Sequence, residues 1–178
     1  MAQLKDDCFA FGEDLIELKD ALNLLEEKVS TVVAIESVPL HMAQGRFIAE
    51  DLISYKNVPP HNNSAVDGYA VFFSDLNPDG VTRLPVTGRI AAGHPLDRPA
   101  RRGEALRIFT GAPMPEGGKK EPDTIFMDED CTLEKTAHGD VVVLPEGLKL
   151  GANRRFAGED VKVGDVIINS GQRLRPQE

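Results

Sequence analysis

Cysteine is nearly absent from this sequence: Cys8 and Cys131 are too few for a disulfide framework and lack metal-ligand spacing. Long apolar runs are missing as well, and none approaches the length that spans a bilayer. The opening residues, Met1-Ala2-Gln3-Leu4-Lys5-Asp6-Asp7, lack the basic-then-apolar pattern of a secretory signal, so cytoplasm is the expected compartment. The Asn62-Asn63-Ser64 sequon is accordingly read as coincidental. Positive charge is in deficit: 20 Lys and Arg against 29 Asp and Glu give a formal charge of −9. That balance argues against nucleic acid or an anionic membrane as partner, but a small anion needs only a local cluster of donors. P-loop, G-x-G-x-x-G, G-x-S-x-G and CxxC patterns are all absent. The histidines, His41, His61, His94 and His138, are scattered and read as surface residues.

What is present is a soluble globular composition, 28% charged and 41% hydrophobic over 178 residues, enough for one large or two small domains. Leu15, Leu18, Leu22, Leu25 and Val29 recur at three- and four-residue steps and predict a helix over 15–29 with one apolar stripe. Asp14, Glu17 and Asp20 suit its positive end and Lys28 its negative end, and the stripe reads as core or partner contact. Residues 31–37 are β-branched and predict a strand. A single helical turn over 41–44 stops at Gly45, and 46–53 continues as a strand or a helix, the strand favoured. Short apolar runs at 69–73, 84–90, 105–109, 124–127, 131–134 and 141–144, most of them separated by Pro, Gly, Asp or Asn, predict an all-β module. His138-Gly139-Asp140 marks a hairpin tip, 117–122 a charged solvated loop, and 163–169 a last strand.

Three stretches hold candidate chemistry. Residues 57–71 pack Pro59, Pro60, Asn62, Asn63, Ser64 and Asp67 ahead of Gly68-Tyr69-Ala70-Val71, a shaped loop delivered onto a strand. Its plain reading is a proline and asparagine turn with a solvated carboxylate; its functional reading is a site loop on a rigid scaffold. Ile108-Phe109-Thr110-Gly111-Ala112-Pro113 brings a strand into a rigid loop, where the Thr110 hydroxyl and free amides would make an oxyanion nest or the loop would be a tight connection only. Asn153-Arg154-Arg155-Phe156-Ala157-Gly158-Glu159-Asp160 is a phosphate clamp or an internal salt-bridge cluster, the latter favoured in an acidic chain.

The order of these three motifs resembles the N-terminal half of the molybdopterin molybdenumtransferase family, which includes bacterial MoeA and the gephyrin E domain. The resemblance runs from about residue 15 to 176 and includes Gly45-Arg46. It implies an α+β fold: a discontinuous α+β dimerisation-type domain, 1–57 plus 145–178, with an inserted all-β domain over 58–144. It implies insertion of molybdate into adenylylated molybdopterin with release of AMP, a homodimer, and a divalent cation, Mg²⁺. By the same resemblance Asp67 and Thr110 are catalytic candidates, Asp67 also steering the cation or a water and Thr110 meeting phosphate or molybdate. Ser64, Asn63 and Arg155 are implied substrate-binding residues, the first two as supports of the loop. Where the family carries Phe-Asp this chain has His61-Asn62, so one loop carboxylate is missing. The family's α/β nucleotide-binding domain is missing too, and the ending at Arg175-Pro176-Gln177-Glu178 falls inside the family's first domain. The expectation is a piece of a longer enzyme, inactive alone; the alternative is a non-catalytic dimerisation or scaffold module.

Overall fold

The computed structural model describes residues 17–117 and 120–178. Cys8, Asp14, Leu15 and the Gly118-Lys119 centre of the charged loop lie outside the described residues. The chain divides into two units, Met1–Gln44 and Gly45–Glu178. In the first, α1 (Leu18–Lys28) has Asp20 in its first turn and Lys28 in its last, as the helix dipole favours. None of its residues is buried, and Leu18, Leu22 and Leu25 of the apolar stripe face solvent. The stripe is therefore not core within this chain. Residues 31–37, expected as a strand, form none. Val32, Val33 and Ile35 are exposed there, and β-branched side chains favour a strand only when a neighbour supplies a ladder and a surface to pack on. The short turn expected before Gly45 is a 3₁₀ turn at Leu40–Met42.

The second unit carries ten strands: β1 (Leu52–Ile53), β2 (Asn63–Ser64), β3 (Gly68–Val71), β4 (Thr82–Ile90), β5 (Ala105–Ile108), β6 (Thr124–Met127), β7 (Thr132–Thr136), β8 (Gly139–Leu144), β9 (Arg154–Arg155) and β10 (Val166–Ile168). Six form one sheet in the order β6-β3-β5-β4-β8-β7, while β1 pairs with β10 and β2 with β9 in two-stranded ribbons. The six short runs read from the sequence all fall on these six strands. The strand expected over 46–53 is reduced to a bridge between Phe47 and Arg173 and to β1. The hairpin tip sits one residue earlier than expected, at Ala137-His138, with Gly139 already pairing with Thr136.

Strand β3 is buried along its whole length and is flanked by β5 and β6, both antiparallel to it. Ala70, Ile90, Leu106, Ile108 and Ile125 build one apolar cluster, and Tyr69, Val71, Phe126, Val142 and Leu144 the other. The alternation along β3 thus feeds both clusters, as a period of two requires. The crossover between the parallel strands β4 and β5 is pinned by buried Glu104. Its carboxylate accepts two bonds from the Arg98 guanidinium at 2.9 Å and one each from Thr87 Oγ1 and the Arg101 amide. Bidentate, partly buried pairs of this kind fix geometry as well as adding stability.

Two glycines of this frame are needed for different reasons. A Cβ on Gly68 would stand 1.7 Å from the Phe126 carbonyl oxygen, whereas at Gly111 nothing lies within 4 Å but φ is +77°. Gly68→Ala is expected to cost roughly 3 kcal/mol or more through backbone overlap, and Gly111→Ala about 1 kcal/mol through left-handed strain alone. Urea unfolding of both variants checks this, and equal losses would refute the distinction.

Candidate functional site

Register places the site. Gly68 pairs with Ile108 on one side and Met127 on the other, so Asp67, Thr110 and Asp128 all follow from one point of the sheet. The Asp128 amide donates to the Asp67 carbonyl at 2.9 Å, closing the third corner. The loop before β3 is fixed from behind. Asn57 Oδ1 accepts from the Val163 amide at 3.0 Å and Asn62 Oδ1 from the Ala157 amide at 2.9 Å. Asparagine side chains that replace backbone acceptors are a common means of shaping such loops. The Val58–Pro59 peptide is cis.

The Asp67 carboxylate accepts two bonds on Oδ1, from the Thr110 amide at 2.8 Å and the Thr110 hydroxyl at 2.7 Å. These bonds, the backbone one first, hold its pKa below the ordinary 3.8, and the Arg107 charge adds to the effect. Arg107 makes a two-point pair with Asp128, its second nitrogen 2.8 Å from Oδ2. Its guanidinium also stacks 4.9 Å from the centre of the Tyr69 ring and 5.2 Å from that of Phe109. The bond to Asp128 raises Arg107 and lowers Asp128, while burial raises the Tyr69 phenol. The result is an exposed rim: one carboxylate with an unbonded oxygen among the described residues, one hydroxyl, and a neutralised ion pair beside them.

Asp67 and Thr110, the two catalytic candidates, are thus in direct contact. Ser64 is close in sequence but buried, its hydroxyl donating to the Val66 carbonyl at 2.5 Å, so it shapes the loop. Asn63 lies in β2 with its side-chain oxygen buried and unpaired. Arg155 is engaged by Glu159 at 3.4 Å and Asp160 at 2.5 Å, the internal cluster that the acidic composition favoured. Of the two readings of the Thr110 loop, the tight connection holds and the nest of free amides does not form. The Thr110 amide is taken by Asp67, the Gly111 amide by the Ser64 carbonyl at 2.9 Å, and the Ala112 amide by the Phe109 carbonyl at 2.9 Å. Arg107, Asp128 and Tyr69 were not singled out in the sequence. Their only signal there is a charged residue inside one apolar run and an acid closing another.

The depressed Asp67 pKa has a definite consequence. Its stabilisation is fully present above pH 3.8 and is lost as pH falls through the lower folded-state value. The stability gap between the parent chain and Asp67→Asn should therefore shrink as pH drops below about 4. Thr110→Val should raise the Asp67 pKa while Thr110→Ser leaves it in place. Carboxyl titration by NMR reads both; a Val variant with an unshifted Asp67 would contradict the assignment.

Comparisons with known proteins place the chain in a family. A family model described as the MoeA N-terminal region (domain I and II) matches residues 16–178. A molybdopterin molybdenumtransferase of Haemophilus influenzae is 38% identical over 162 residues, covering 91% of this chain and 38% of the relative. Another of Synechococcus elongatus is 37% identical and covers 86% of this chain and 37% of its own length. The crystal structure of a molybdopterin biosynthesis moeA protein from Pyrococcus horikoshii superposes with a TM-score of 0.78 at 32% identity, covering 92% of this chain and 42% of that one. The chain thus spans under two-fifths of the length of these curated relatives. A family model matched over residues 16–178, relatives at 37–38% identity and a solved structure at a TM-score of 0.78 converge: the chain belongs to the MoeA N-terminal region family.

Proposed function

We propose that this chain is the N-terminal part of a molybdopterin molybdenumtransferase, which inserts molybdate into adenylylated molybdopterin with release of AMP. The observation that carries the reading is the Asp67–Thr110 contact on an open rim, formed by two motifs 43 residues apart in the chain. An interaction between sequence-distant polar groups on exposed loops has little to add to stability and suits a ligand.

The contact has a chemical direction. Thr110 spends its hydroxyl proton and its amide on Asp67, so the pair presents lone pairs outward and no donor. Acceptor oxygens suit a hard cation. Magnesium takes few protein ligands, usually one or two carboxylates, and completes its shell with water and phosphate. A site of that kind asks for no cluster of three or more His, Cys, Asp or Glu side chains, and none is found among the described residues. Asp67 would hold such an ion through its second oxygen. Bound there, Mg²⁺ would neutralise phosphate charge and orient the leaving nucleotide. Asp67 itself orients and Thr110 keeps the carboxylate ionised and fixed in direction.

The domain division 1–57 plus 145–178 and 58–144 belongs to the same proposal. It is supported by Leu52 pairing with Ile168 across it and by all six strands of the larger sheet lying between 68 and 144. A homodimeric parent is supported by the exposed apolar stripe of α1. The same stripe favours the second reading, a scaffold module. No described helix is long and apolar enough to cross a membrane, in keeping with a proposed cytoplasmic site.

In the full-length parent enzyme, Asp67→Asn should lower molybdenum insertion by roughly 10²-fold while melting temperature at neutral pH moves by only a few degrees. Release of AMP from adenylylated molybdopterin is the readout. Activity that merely tracks the folded fraction would make Asp67 structural and leave the scaffold reading.

A further inference from the structure

The donor inventory around Thr110 leaves an anionic ligand without a partner, because the loop amides are all spent. One cation beside it is not spent. Arg89, exposed on β4, is the register neighbour of Arg107 on β5, and its guanidinium lies 4.5 Å from the centre of the Phe109 ring. Arg107 reaches the same ring, but its charge is taken up by Asp128. Arg89 forms no ion pair among the described residues. Stacking uses the face of a guanidinium and leaves the N–H groups along its edge free, in the fork that matches two phosphate oxygens. Phe109 is joined to Thr110 in the chain, and its amide is tied to the Ile90 carbonyl at 3.2 Å, next to Arg89.

We propose that Arg89, held over the Phe109 ring, is the anion-binding residue of this site and takes the phosphoryl oxygens of a phosphoanhydride. The inference rests on reading Asp67 and Thr110 as the site. Together they divide one ligand between them: oxygens of Asp67 and Thr110 for the cation, the edge of Arg89 for the anion. Because Arg89 is exposed, its truncation leaves both apolar clusters intact.

Inorganic pyrophosphate tests it on this chain, with affinity read by calorimetry and the Arg89 guanidinium Nε–H followed by NMR. Arg89→Ala should weaken pyrophosphate about tenfold or more, Arg89→Lys should recover part of that, and Phe109→Leu should weaken it by releasing the stack. Asp67→Asn should leave magnesium-free binding equal or tighter. Equal affinity for the parent chain and Arg89→Ala, or no binding at millimolar pyrophosphate, overturns the inference. In the parent enzyme Arg89→Ala should raise KM more than it lowers kcat. If Asp67→Asn abolishes insertion while Arg89→Ala changes nothing, this inference alone fails. If Arg89→Ala weakens pyrophosphate while Asp67→Asn stays fully active, the anion site stands and the cation reading fails.

Discussion

Gly68 enters the sheet with the Phe126 carbonyl oxygen where its own Cβ would have to be, and the candidate site depends on that approach. Removing the side chain lets β6 close on β3 while β5 closes on the other edge. Three chain segments then leave the sheet at one level, carrying Asp67, Thr110 and Asp128. A one-residue slip at either ladder would turn side chains to the opposite face and separate the carboxylate from the hydroxyl. Burial along β3 supplies the energy that forbids the slip, since its alternating residues serve two different apolar clusters. Backbone packing, then register, then the polar contact is the causal order.

The polar chemistry on this frame is asymmetric. Carboxylate and hydroxyl oxygens collect around Asp67, and the nearest guanidinium is neutralised by Asp128. Net negative potential at the rim fits the acidic chain and disfavours a bare anion there. An anion is accommodated only with a counter-charge, either a cation at Asp67 or a guanidinium set apart from it. The chain carries a candidate for each: Asp67, bonded to Thr110, and Arg89, over the neighbouring Phe109 ring.

The sequence made the sheet legible because each of its strands is a short apolar run between turn residues, and the core did not override that pattern. It failed over 31–37, where Val32, Val33 and Ile35 have strand propensity but no neighbouring ladder. Propensity states what a residue tolerates, and pairing decides what it does. At the site, Asp67 and Thr110 were legible as members of ordered motifs, not from chemistry nearby in the chain. Arg107, Asp128 and Arg89 were not, because they reach the rim only through the sheet's register, which spans 40 residues from 89 to 128. The nest at Thr110 failed for a related reason: whether an amide is free depends on partners such as the Ser64 carbonyl, which no local spacing reveals.

A carboxylate on an open rim is weak electrostatics. At about 4 Å two unit charges interact by about 1 kcal/mol in water, and several-fold more once solvent is excluded. Positioned charge becomes strong catalysis only in a site from which water is kept out. Two cavities among the described residues lie elsewhere: one is lined by Phe73, Leu76, Phe126 and Leu148, another by Phe72, Arg101 and Arg102, and neither includes Asp67. In the proposed reading Asp67 would be one wall of a site, held by Thr110 and the sheet behind it. The relatives carry more than half of their length outside the matched part, ample for an opposing wall. On that proposal the bonds from Thr110 to Asp67 would set the carboxylate oxygens in advance, so that little binding energy would go into ordering them.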